Sequence, residues 1–231
     1  MVAIVSGTGL GLFNTSASNN LIVGNANTGR SGEQVYVNSA TGNLVVRDQD
    51  ERLAALGLDL ALVRTYNSQG LIDGDNNDNW RIGFYRRVSL NGTANATGST
   101  VTKTFGDGAE VVYTFDGTKY VSSDGDGAHD TLAWNGSEWT WTDGSTRNTE
   151  TYNSAGQLVN ARDTDGNAVS FIYADSLPNS LLTRVTTTSG SVTQSVYLDY
   201  TGNNLSQVRA VEVNGAQTTT QTLTQYFYYA D

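Results

Sequence analysis

Thr149 to Asp175 reads TETYNSAGQLVNARDTDGNAVSFIYAD, and its two halves are built alike. An aromatic-ended extended run leads into an Asn/Asp/Gly turn, and a second extended run leads out. Tyr152 is followed by Asn153 and Gly156, which suit the positive φ of a tight turn, and Leu158 and Val159 restart an apolar strand. Asp165-Gly166 makes the next turn. From Ala168 to Tyr173 the side chains alternate, with Val169, Phe171 and Tyr173 on one face and Ala168, Ser170 and Ile172 on the other. The period is that of strands, so the stretch predicts successive hairpins.

The same grammar recurs on both sides. Tyr173, Asp175 and Leu181 restate the tyrosine, the turn residue and the leucine; Tyr200, Gly202 and Leu205 restate them again, and Tyr229-Ala230-Asp231 opens another unit. Successive tyrosines stand 21, 27 and 29 positions apart, a drift that hairpins joined by variable loops accommodate more easily than a strict solenoid.

These residues resemble the tyrosine-aspartate (YD) repeat of RHS proteins: Tyr152-Asn153-Ser154-Ala155-Gly156-Gln157-Leu158, then Asp165-Gly166-Asn167 and Phe171-Ile172-Tyr173-Ala174-Asp175. Upstream, Tyr36-Val37-Asn38, Thr41-Gly42-Asn43-Leu44, Gly57-Leu58-Asp59-Leu60 and Arg64-Thr65-Tyr66-Asn67-Ser68 resemble the segment that precedes the array in large members. Asn153 stands where the pattern has aspartate, Leu177-Pro178 interrupts one unit, and Thr201 follows Tyr200. The resemblance implies an all-β fold, a repeat-built antiparallel sheet of successive hairpins that forms part of a YD-repeat shell or a β-sandwich-like module. It implies a secreted or cell-surface bacterial protein with a structural role, whose shell in toxin members encloses a C-terminal toxic domain. The self-cleaving aspartates of RHS cores lie in a proline-containing motif beyond the array; Pro178 is the sole proline here and sits in Leu177-Pro178-Asn179, so that activity is not carried over. Residues 1–32 are expected to form a Gly/Asn-rich leader, 33–145 a pre-repeat β region, and 146–231 the YD-type repeats, an array incomplete at its C-terminus. The unfinished unit at Tyr229 leads to the expectation that the chain is part of a longer one.

Composition limits the partners. The formal net charge of −10 and a pI near 4.4 repel nucleic acid and anionic membrane surfaces, and Lys103 and Lys119 are the two lysines. The absence of cysteine rules out a disulfide framework and thiolate chemistry. No run approaches the roughly 18 apolar residues of a membrane helix, and Met1 to Ser6 lacks the length and basic flank of a signal peptide. Gly7-Thr8-Gly9-Leu10-Gly11 lacks the spacing and the following helix of a dinucleotide site. Strands are expected at Gln34–Val37, Asn43–Arg47, Leu58–Tyr66, Gly83–Leu90, Thr100–Phe105 and Ala109–Phe115; Asp50 to Leu56 is expected to be a loop, because Gly57 ends any helical turn too early. Arg86-Arg87 is expected to pair with acidic side chains on a strand surface.

Two sites other than the repeat suggest ligands. Asp73, Asp75, Asn77 and Asn79 place oxygen ligands at alternate positions, as a Ca2+ loop does, although Phe84 occupies the twelfth position where a bidentate glutamate belongs. The same composition also makes an ordinary solvated turn, the commoner outcome for so short a motif. Trp134, Trp139 and Trp141 flank Asn135-Gly136 and suit a hairpin with aromatic cross-strand pairs: exposed, they would form a glycan platform; buried, they are core. His129, in a glycine-rich loop between Asp124, Asp126 and Asp130, has no nucleophile elbow around it. The 17 Asp and 6 Glu offer no pair that spacing alone identifies as a glycosidase dyad.

The sequence therefore reads as a non-catalytic scaffold that pairs through its β-edges with the rest of its own polypeptide or with copies of itself. A Ca2+-stabilised adhesin or carbohydrate-binding module is the alternative, and a glycosidase the third. Circular dichroism is expected to show strand with negligible helix; a helical content above about a fifth of the residues would overturn the fold class.

Overall fold

A computed structural model describes residues 27–28, 33–37, 43–53, 60–68, 79–122, 129–175, 177 and 180–228. Among these residues strands account for 62% and helix for 1%, and every strand pair is antiparallel. The first sheet comprises β1 (Asn27–Thr28), β2 (Gln34–Val37), β3 (Leu44–Leu53), β4 (Leu60–Asn67) and β5 (Trp80–Ile82), paired in chain order. The second has thirteen strands, also in chain order: β6 (Arg87–Asn91), β7 (Thr100–Thr104), β8 (Glu110–Phe115), β9 (Tyr120–Val121), β10 (Thr131–Trp134), β11 (Trp139–Thr142), β12 (Thr149–Tyr152), β13 (Leu158–Arg162), β14 (Ala168–Tyr173), β15 (Leu182–Ser189), β16 (Val192–Thr201), β17 (Asn204–Asn214) and β18 (Gln217–Gln225). Tight turns joining alternating strands give this meander without any crossover.

Two expectations are corrected. Asp50 to Leu53 belongs to β3, because pairing with β4 supplies the partners that a lone helical turn lacks; the register passes from Gln49↔Val63 to Glu51↔Leu62 and leaves Asp50 as a bulge. Gly83–Leu90 is not one strand. The chain leaves the first sheet at Ile82, turns at Gly83-Phe84 and starts β6 at Arg87, so this short link joins the two sheets. The pre-repeat and repeat stretches share the second sheet, since β11 pairs with β12 along its length.

The second sheet curls until its first strand meets the turn between β12 and β13. Val88 N–H donates to the Gly156 carbonyl at 2.9 Å, and Arg87 bridges Gln157. Inward side chains of the curl, among them Val101, Tyr113, Tyr120, Leu132, Tyr152 and Leu158, are fully buried in one core that also takes in Leu62 of β4. Phe84 on the link packs edge-on against Phe171 of β14, with ring centroids 6.3 Å apart. The bulged Asp50 ties the first sheet to the far end of the second. Its carboxylate accepts from Arg64 Nε at 2.5 Å and from Tyr226 Oη at 2.6 Å, and the Arg64 guanidinium lies 5.2 Å from both the Trp80 and the Tyr226 ring.

Gly156 carries the closure. Its φ is +82° and an added Cβ would lie 2.0 Å from the Val88 oxygen, whereas Gly166, at φ +90°, has open space around it. Gly166→Ala is expected to cost roughly 1–2 kcal/mol from backbone strain alone, and Gly156→Ala about 3 kcal/mol or more because the seam must also open. Urea denaturation of the two variants checks this, and equal losses would show that the seam does not depend on close approach.

Candidate functional site

The repeat residues form one recurrent construction. In each of three hairpins the tyrosine lies opposite a leucine at the turn end: Tyr152 with Leu158, Tyr173 with Leu182, Tyr200 with Leu205. In each, the register slips by one residue just before the tyrosine, leaving Val159, Thr183 or Ser206 as the extra residue. The last two use their hydroxyls there: Thr183 Oγ1 donates to the Ile172 carbonyl and Ser206 Oγ to the Asp199 carbonyl, each at 3.0 Å. Both acceptors immediately precede the tyrosine. The leucine partner of Tyr173 is Leu182, 1% exposed, and not Leu181, because the bulge and the longer loop move the pairing by one position. Gly202 has φ +63° in the two-residue turn after Tyr200, and Asp175 caps its loop by accepting from Leu177 N–H at 2.8 Å. Tyr229 lies outside the described residues.

Asp73, Asp75 and Asn77 also lie outside them. Asn79 is described, at φ 66°, with its carbonyl accepting from Asn67 N–H at 3.0 Å. Among the described residues no group of three or more His, Cys, Asp or Glu side chains could hold a metal ion. Trp134 and Trp139 are register partners with ring centroids 4.8 Å apart, while Trp139 and Trp141 are 4% and 7% exposed. A sugar stacks on an open ring face, which these two do not offer. Asp130 turns inward, its Oδ1 accepting from Gly144 N–H at 2.8 Å and its Oδ2 from Tyr113 Oη at 3.3 Å. Tyr113 Oη in turn accepts from Trp141 Nε1 at 3.0 Å.

The most unusual chemistry is a buried ion network that the sequence reading did not assemble. Lys103 of β7, fully buried, places Nζ 2.7 Å from Glu150 Oε2 of β12 and 2.9 Å from the centroid of the Trp141 ring. Nζ has close ion-pair contact but no partner with hydrogen-bond direction. Arg86 on the link pairs with Glu150 Oε1, and Tyr152 Oη donates to Oε2 at 2.5 Å. Burial lowers Lys103 to about 8 despite its carboxylate neighbour. Burial pushes Glu150 upward, but Lys103 and Arg86 outweigh it and hold the acid at about 2. Burial, and then the Glu150 charge, raises the Tyr152 phenol well above its usual range. A lysine lowered in this way has the electronics of a nucleophile, yet no surface of Lys103 reaches solvent. Arg86 thus meets the acidic partner expected of it, but that partner lies in the core. One signal was available: Lys103 shares strand parity with Val101, on the inward face of TVTKT.

A family model, Domain of unknown function (DUF6531), matches residues 35–113. That family is often found in RHS/YD-repeat proteins. The match runs from β2 to β8 and so spans the link between the sheets and Lys103. No curated protein matches the chain at a significant level.

Glu150→Gln leaves Lys103 as a buried cation without its counter-charge, and the expected loss is about 3–5 kcal/mol in urea denaturation. Adding Lys103→Met should recover part of it; no recovery would show that charge compensation is not the cause. The pH dependence has two windows. Glu150 is depressed, so its contribution is present above the ordinary carboxylate value of 4.5 and is lost as pH falls toward 2. Lys103 is depressed from 10.5 to about 8, so between these values the unfolded chain holds a proton that the folded chain has released, and stability rises with pH. Lys103→Met should abolish that alkaline rise relative to the wild-type chain.

Proposed function

We propose that this chain is a non-catalytic structural scaffold, a stretch of RHS/YD-repeat-like β-shell from a secreted or surface bacterial protein of the kind that encloses a C-terminal toxic domain. The observation that carries the reading is the repeated tyrosine–leucine hairpin with its bulge, three times over in one uninterrupted meander. A wall built this way lengthens by adding hairpins, and each hairpin needs only its neighbours. The family match over 35–113 supports the same reading from the other end of the chain. The polar side chains around the core also suit a wall, because Lys103 and Arg86 share the one Glu150 carboxylate across strands. The rest of the same polypeptide, or further copies, would continue the sheet.

A scaffold turns over nothing. The purified chain is expected to leave glycan, peptide, ester and phosphoester panels unchanged over many hours. Hydrolysis that co-purifies with the chain and disappears in a variant of one exposed Asp or Glu would replace this reading with an enzymatic one.

A further inference from the structure

We propose that Asn91 is a self-modifying residue: it closes on the backbone nitrogen of Gly92, loses ammonia and is hydrolysed to aspartate and isoaspartate, while Asn135, in an identical dipeptide, stays intact. The inference goes beyond the scaffold reading and does not depend on it. Three Asn-Gly pairs occur in the chain, at 91–92, 135–136 and 214–215. Glycine is the neighbour that favours ring closure, because no Cβ shields its nitrogen and its backbone rotates freely. Held beside the carboxamide within one chain, that nitrogen acts at a high effective concentration. The Gly92 nitrogen gives up its proton and bonds Asn91 Cγ; the Cγ–Nδ2 bond breaks, and Nδ2 takes a proton and leaves as ammonia. Water then opens the five-membered ring at one of its two carbonyls. Attack at Cγ yields aspartate, and attack at the main-chain carbon yields isoaspartate, in which the chain runs through Cγ.

What separates the two sites is the hold on the side chain. Asn91 and Asn135 are both exposed, and each stands at the end of a strand before a glycine of positive φ, +94° at Gly92 and +104° at Gly136. Among the described residues neither glycine N–H donates to a backbone carbonyl, so neither nitrogen is withheld by the ladder. Asn135 Oδ1 accepts three hydrogen bonds, from Ser137 N–H at 2.9 Å, Ser137 Oγ at 3.0 Å and Glu138 N–H at 2.9 Å. Its own N–H donates to the Glu138 carbonyl at 3.2 Å. Ring closure must rotate both the carboxamide and the Asn135 backbone, and that rotation pulls Oδ1 off its donors. Asn91 has no such hold: among the described residues its side chain makes no hydrogen bond. Asn214 shares that freedom and falls in the same class. Conversion places a carboxylate at the end of β6, and the isoaspartate form adds one backbone carbon between Leu90 and Gly92. The pair Asn91↔Thr100 is then lost, while Leu90↔Val101 and the Val88 seam lie upstream of the change.

The unaltered chain supplies its own control. Incubated in mildly alkaline buffer and digested at intervals, it gives a rate for each site by mass spectrometry, since an acid outweighs the amide it replaces. The Asn91 peptide is expected to convert roughly tenfold or more faster than the Asn135 peptide, the net worth of the bonds that closure at Asn135 must break. Its product should split into aspartate and isoaspartate forms, which chromatography separates and an isoaspartyl methyltransferase tells apart. In the guanidinium-denatured chain Asn135 keeps its glycine but loses its donors, so the two rates should converge. A smaller ratio in the folded chain overturns the proposal. A ratio that persists in guanidinium overturns it as well, because the protection would then come from the neighbouring residues and not from the turn.

Discussion

Five turns of the second sheet rest on one hydrogen bond, in which the side-chain oxygen of an Asp or Asn accepts the backbone N–H two residues ahead. Asp116, Asn135, Asp143, Asn153 and Asp163 all do this at 2.7–3.0 Å, and each accepts a second backbone N–H three or four residues ahead. A hairpin chain must reverse direction every few residues, and this oxygen supplies an acceptor where the ladder provides none. Backbone N–H groups of Lys119 and Thr118 lower Asp116, and Asn167 and its neighbours lower Asp163. For Asp143, partial burial pulls the other way and the Thr146 and Ser145 donors prevail. Some of the chain's acidic residues thus serve its turns, and their charge alone is weak grounds for inferring a cationic partner.

The curl that turns a long sheet into a cored body depends on a different constraint. Charges that reach the inside of a sheet must neutralise each other there, since an isolated buried ion is far costlier than a pair. Lys103 and Glu150 sit on β7 and β12, separated in strand order by four others, and they can meet only because the sheet bends round; Arg86 joins them from the link that starts it. The network is a weak source of net stability compared with an apolar replacement. What it provides is a penalty for any curl that separates the three groups. The Gly156 approach to Val88 acts on the same seam through backbone contact instead of charge.

Local chemistry was legible in the sequence and non-local pairing was not. The alternation from Ala168 to Tyr173 puts Val169 and Phe171 on one face, which the structure buries to 4% and 8% exposure, and Gly166 and Gly202, turn residues of the motif, have positive φ. The bulges escaped because a one-residue slip leaves no mark on a single strand; it is a relation between two, and it moved the leucine partner from Leu181 to Leu182. Asp50 to Leu53 escaped for a similar reason, its strand state being imposed by β4. Lys103 and Glu150 escaped because a charged residue in a threonine-rich strand has the composition of a surface position, and only the parity with Val101 argues otherwise.

The uneven tyrosine spacing, which argues against a solenoid, follows from the same distinction. From tyrosine to paired leucine the chain takes six residues in the first unit, nine in the second and five in the third, yet the opposition, the slip and the extra residue after the leucine are kept. Conserving a pairing rather than a length has a physical basis: a hairpin loop can grow at little entropic cost, whereas a tyrosine displaced by one residue would face the wrong side of the sheet. Strand lengths are free to vary for the same reason, and β12 at four residues and β17 at eleven belong to one sheet. A repeat defined in this way is invisible to a search for fixed periods, and its strands can run from four residues in β12 to eleven in β17 without altering the pairing at the tyrosine.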